Sequence, residues 1–162
     1  MPKDKKIYTV VFNSQISGSA STNNELFFFD WTTIEESRYK VSWSFMSATG
    51  ANPATLTKVA NLFVDLGQGA YTTIASSNNA NQGANYSAMY IGSLEVKSIT
   101  NVAGSLTYYY AGTTTNPPFF IDTRPRQSNI QIMMSSNDAN NNTLFTPIPG
   151  QYTLTMQFEM ID

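Results

Sequence analysis

Glu35 and Glu36 are the only adjacent acids in the chain. Glycoside hydrolysis needs two carboxylates about 5–10 Å apart across a sugar, one of them protonated to act as the acid. Glu35 with Asp30, Asp65 or Glu95 offers candidates for such a pair. Capping of a short helical turn accounts for both glutamates without catalysis, because TTIEES (32–37) sets Thr32 against Glu35 and Thr33 against Glu36. Asp138, Asn140 and Asn142 carry the alternate-position spacing that opens an EF-hand calcium loop. Such a loop needs Gly at its sixth position and an acid at its twelfth, where this chain has Thr143 and Pro149. A surface turn is the better reading, and no metal is expected.

Cys and His are both absent. Without Cys there is no disulfide, thiol nucleophile or thiolate metal site. Without His the commonest general base and transition-metal ligand are missing, and a Ser-His-Asp triad is impossible. The sequence therefore points away from an enzyme and away from any cofactor.

Two stretches suit contact rather than catalysis. Tyr108, Tyr109 and Tyr110 stand in a row, and in a strand Tyr109 faces opposite to its neighbours. That arrangement exposes at least one aromatic unless both faces are covered, and exposed Tyr is enriched at interfaces and also stacks on sugars. PPFFIDTRPRQSN (117–129) is the most distinctive segment. Pro117 and Pro118 stiffen its entry, and Pro125 cannot donate to a central ladder. Arg124 and Arg126, two of the three arginines, bracket Pro125; the guanidinium fork binds carboxylates at two points. Tyr108, Tyr109, Tyr110, Pro117, Pro118, Arg124 and Arg126 are the expected subunit-contact residues, set against the alternative of ordinary solvated loops and covered strands. Asn85-Tyr86-Ser87 and Asn141-Asn142-Thr143 are glycosylation sequons, relevant only in a secretory compartment.

The elements that hold these residues read as strands. In QYTLTMQFEMID, the last twelve residues, Tyr152, Leu154, Met156, Phe158 and Met160 share one parity, and polar residues fill the other. RYKVSWSFMS (38–47) places Tyr39, Val41, Trp43 and Phe45 on one face. Further strand patterns fall at 5–13, 25–31, 59–67, 69–74, 87–96, 105–111, 117–122 and 129–135. Helix signals amount to single turns at 32–37 and within 51–60. Asn/Ser-rich loops cover 17–24, 76–87 and 135–142. The 162 residues suffice for one domain with a real core, with no composition break and no repeat. Eight to ten strands without helices predict an all-β, antiparallel β-sandwich, a single eight-stranded jelly roll over 1–162, its first and last strands paired in one sheet.

Composition narrows the partners. Charged residues make up 12% of the chain, about half the usual share of roughly 25%. Asn, Ser and Thr number 16, 17 and 19, so neutral groups must supply the polar surface. Such a surface suits packing against neighbours, and turn-rich β-domains have it too. Net charge is −2 and the pI about 5.0, which disfavours nucleic acid. No run reaches about 18 apolar residues, so no membrane-spanning helix is expected. The opening MPKDKKIYTVVFNS lacks the apolar core of a secretory signal.

Taken in order, FFFDWTTIEESRYKVSWSF, VANLFVDLGQGAYTT, MYIGSLEV, NPPFFIDTRP with NIQIMM, and YTLTMQFEMI resemble the small single jelly-roll capsid proteins of large double-stranded DNA viruses of algae and protists. The resemblance runs from about residue 25 to the end. It is one of strands and aromatic anchors, without a catalytic motif to carry over. It implies a penton or minor capsid component, a homo-oligomer such as a pentamer, neighbouring capsid proteins as partners, and a place in the virion after assembly in host cytoplasm. A long arm that ties subunits together is not expected, since only about a dozen residues precede the sandwich.

Three functions follow. The first is a structural capsid protein acting by self-assembly. The second is a jelly-roll carbohydrate-binding module, with Tyr71, Tyr86, Tyr90 or Tyr108 to Tyr110 stacking on sugars. The third is a hydrolase working with carboxylates alone.

Overall fold

The computed structural model describes residues 5–14, 24–47, 59–66, 89–102, 105–112, 117–136 and 152–161. Among them lie nine strands: β1 (Ile7–Asn13), β2 (Asn24–Phe28), β3 (Tyr39–Ser47), β4 (Val59–Asp65), β5 (Met89–Val102), β6 (Ser105–Gly112), β7 (Phe119–Ile121), β8 (Asn129–Ser136) and β9 (Tyr152–Met160). The helical content of the described residues is one 3-10 turn, Trp31–Thr33.

The alternation at the end of the chain becomes β9. Tyr152, Leu154, Met156, Phe158 and Met160 are all buried, while Gln157 between them is exposed. β9 lies between β1 and β3 and pairs antiparallel with both. Its apolar parity meets that of β3, where Tyr39, Val41 and Phe45 are buried. Trp43, expected beside them, is only half-buried. Its indole N–H donates to the Ile91 carbonyl on β5 at 3.0 Å. A Cβ at Gly112 would stand 2.6 Å from the Trp43 ring, so the absence of a side chain at that position makes room for it.

Strands neighbour one another in the order β1-β9-β3-β6-β5-β4-β8-β2, with β7 joined to β3. Every pairing is antiparallel. Four of them nest: β1 with β9, β2 with β8, β3 with β6 and β4 with β5. This is one long hairpin rolled up, with β9–β3 and β4–β8 closing the roll. It is the all-β jelly roll expected from the strand pattern, and its first and last strands pair as expected.

β7 is not a ninth position in that roll. Along β3 the partner changes from Ala111, opposite Met46, to Phe119, opposite Val41. β3 moves five residues while the other chain moves eight, so β6 and β7 are one strand line interrupted by an insertion. Pro117 and Pro118 sit in the interruption, where a residue without an N–H costs no ladder bond. Two bulges bend β5. Ile91 has no opposite residue on β4, and Lys97 has none on β6. β5 is also longer than the expected 87–96, and runs on to Val102 against β6.

The core lies between the two halves of the roll. Val10 and Phe12 from β1, Leu62 and Val64 from β4, Leu94 from β5, and Ile130, Ile132 and Met134 from β8 join the β3 and β9 residues there. Edge-to-face ring pairs run across it, with Phe12 to Phe27 at 5.3 Å and Trp31 to Phe158 at 5.3 Å. The expected strand at 69–74, the turn at 51–58 and most of the Asn/Ser-rich loops lie outside the described residues.

Candidate functional site

Most of the chemistry-bearing side chains meet at one end of the roll, where the β2–β3 connection (29–38) lies against the β7–β8 connection (122–128). The first turns through the 3-10 segment, and its cap corrects the expected one. Asp30 is the N-cap, not Thr32 or Thr33: its Oδ1 accepts the Thr32 amide at 3.0 Å and the Thr32 hydroxyl at 2.7 Å. Trp31, expected to end a strand, opens this turn instead. Its ring packs against Phe29 at 4.7 Å, and its indole N–H donates to the Gln127 carbonyl at 3.0 Å. The Phe29 amide donates to the Ser128 carbonyl at 2.9 Å, so the two connections are sewn together twice.

Charge fastens the same junction. Arg124 donates to the Ile34 carbonyl at 2.8 Å and lies 3.4 Å from the Glu36 carboxylate. Arg126 approaches the other oxygen of Glu36 at 3.6 Å. Arg38 contacts Asp122 at 3.3 Å, and Lys6 pairs with Glu35. Tyr39 lies beneath this layer and donates its hydroxyl to the Glu35 carbonyl at 2.5 Å. Burial, with a smaller push from Tyr8, raises the Tyr39 phenol to about 12.

The carboxylates here are engaged in structure. Glu35 and Glu36 are each matched by a cation of the same chain, and Asp30 serves as a cap. A glycosidase acid needs a carboxyl raised above its ordinary range. Asp30 moves the opposite way, held low by hydrogen bonds from the Thr32 hydroxyl and amide. Among the described residues no three acids gather as a metal site would require, and no helix is long and apolar enough to cross a membrane. The candidate calcium residues Asp138, Asn140 and Asn142, and both sequons, lie outside the described residues.

The expected contact residues fall at separate places along β3. Arg124 and Arg126 lie beyond its Tyr39 end, and Pro117 and Pro118 are exposed just ahead of β7. Tyr108 and Tyr109 belong to the part of β6 beyond the Ser47 end. The nine-residue strand sets Arg124 and Arg126 roughly 25 Å from Tyr108 and Tyr109 at about 3.3 Å per residue, with Pro117 and Pro118 alongside its middle, so the seven do not form one patch. Tyr110 is a correction: it is 1% exposed and belongs to the core. Tyr109 is half-buried. The Lys97 bulge lies between the partners of these two residues, Ser98 and Val96. Arg124 is also partly withdrawn, because it is committed to Ile34 and Glu36.

Spacing did not reveal the outer face of β1, β9 and β3. Thr9, Gln157, Ser42 and Ser44 are exposed there, with Thr153 and Thr155 half-buried. One ion pair, Lys40 to Glu159 at 3.6 Å, crosses it. Ile7 and Val11 on β1, Met46 on β3 and Phe120 on β7 are exposed apolar residues around this face. The signal was available in the outward parity of β3 and β9, which has Ser, Thr and Gln around a single Lys and a single Glu where a solvated sheet usually carries several of each. Comparison with protein-family models, with curated proteins and with solved structures found no match.

Proposed function

We propose that this chain is a structural shell protein, a penton or minor capsid component that works by assembly. The observation that carries the reading is the outer face of β1, β9 and β3: a broad surface of Thr, Ser, Gln and exposed Ile7, Val11 and Met46, with one ion pair, on a jelly roll. Burying neutral hydroxyls and amides against a neighbour costs far less than burying ammonium or carboxylate groups. The step from jelly roll to capsid rests on analogy of fold and on the resemblance in strand pattern.

Neighbouring copies and other shell proteins are the partners, with cyclic symmetry as the natural outcome for identical subunits. Light scattering across a concentration series tests this. A discrete pentamer, or growth into larger particles, is expected. A mass that stays monomeric both alone and on mixing with other shell components of the same virion overturns it.

A further inference from the structure

Among the described residues β1 is an edge strand, and its outer edge is unusually well suited to accept another strand. Its even residues face β9. The Met160 amide donates to the Lys6 carbonyl and the Ser14 amide to the Tyr152 carbonyl, both at 3.0 Å, and the register between them is unbroken over seven residues. Backbone groups alternate sides along a strand, so the N–H and C=O groups of Ile7, Thr9, Val11 and Asn13 point away from the sheet. No strand among the described residues pairs with them.

Natural edges are blunted by charge, Pro, Gly or a bulge. Residues 7–13 have none of these, unlike β5 with its two bulges. Ile7 and Val11 are instead 61% and 55% exposed.

We infer that β1 pairs antiparallel with β1 of a second copy of this chain, on a two-fold axis at Thr9. In that register Ile7 lies opposite the partner's Val11, and Thr9 opposite the partner's Thr9. Both exposed apolar side chains thereby cover each other on one face, and Thr–Thr and β-branched pairs are favourable neighbours across strands. Three facing pairs exchange roughly six backbone hydrogen bonds. Lys5 meets the partner's Asn13, so no like charges collide. Glu159, which flanks Ile7, comes level with the partner's Thr155, which flanks Val11. The register is self-complementary, which is what selects a second copy over an unrelated strand. This contact is isologous and separate from any ring-forming contact; it holds whether or not the chain builds a shell.

Amide hydrogen exchange on the full chain, dilute and concentrated, tests the pairing together with light scattering. The amides of Ile7, Thr9 and Val11 are expected to gain protection as the mass rises, while those of Tyr8, Val10 and Phe12 are protected throughout by β9. Val11→Lys places an ammonium in the contact and is expected to weaken association roughly ten-fold or more, with an unchanged circular dichroism spectrum. Ile7→Lys is expected to do the same. A monomer at every concentration overturns the pairing and leaves the edge to a strand of another protein. An oligomer whose odd-numbered β1 amides stay unprotected, or which survives both variants, also overturns it. A pentamer of that kind leaves the shell reading standing.

Discussion

The two halves of the roll bury their inner faces alike and differ on the outside. On β9 the outward residues are Thr, Gln and Glu, half-buried or exposed. On β4 the outward residues Asn61 and Phe63 are 7% and 2% exposed, as well covered as the inward Leu62 and Val64. A strand covered on both faces reads as a near-continuous apolar run, and VANLFV is one, broken only by Asn61. β4 is therefore covered on both faces, while the outward residues of β9 stay at or near the surface. The same division runs through the charged end, where Arg124 is spent on a carbonyl and Arg126 remains largely in water, with its side chain 76% exposed.

Substitutions on the two outer faces give the widest contrast. Phe63→Ala is expected to cost about 3–5 kcal/mol in urea denaturation, as for other buried Phe truncations. Gln157→Ala on β9 is expected to stay within ~0.5 kcal/mol, as exposed changes do. Equal losses would erase the distinction between the faces. The arginines provide a finer version. Arg124→Ala leaves the Ile34 carbonyl without its donor and is expected to cost about 1–2 kcal/mol. Arg126→Ala removes only a screened surface pair and is expected to cost under ~0.5 kcal/mol.

Two titrations probe the fastened end more gently. Tyr39 is raised to about 12 from an ordinary 10.0, so its burial stabilises the fold fully below pH 10 and that contribution fades as pH climbs towards 12. The melting temperature is expected to fall across that window, and less steeply in Tyr39→Phe. Asp30 is lowered from 3.8, so its contribution is present above that value and fades as pH drops through the lowered one. The difference in melting temperature between the protein and Asp30→Asn is expected to shrink below about pH 4. Asn still caps a turn, which makes this the smallest effect of the set.

The roll was legible where burial is one-sided. Strict alternation in 39–45 and 152–160 marks the face that meets the core, and the spacing of apolar runs marks the strands. The count was harder, because 117–122 reads as a strand of its own although β7 only resumes the line of β6. A three-residue insertion in one partner leaves no trace in local periodicity. Tyr110 was misread for a related reason. Three tyrosines in a row say that faces alternate, but only the register against Val96 and Ser98 says which one turns inward. The capping residue was obscured by a tie. Asp30, Thr32 and Thr33 all suit an N-cap, and the packing of Trp31 decides where the turn begins. The ion pairs and the Arg124–Ile34 hydrogen bond at this end join residues 29 to 90 positions apart, which no spacing rule reaches.

The place of β9 has a consequence for the newly made chain. It follows the other eight described strands along the chain, yet it belongs between the first and the third. β3 is complete at Ser47, and its neighbour begins only at Tyr152. At roughly 5–20 residues per second that is a wait on the order of ten seconds. Throughout it, β1 and β3 carry open edges and half of the core has no lid. Any early pairing of β1 with β3 must reopen to admit β9. Closure of this sheet therefore waits until β9 has been made, and the interval before it is when the chain is most exposed to its own unfinished copies.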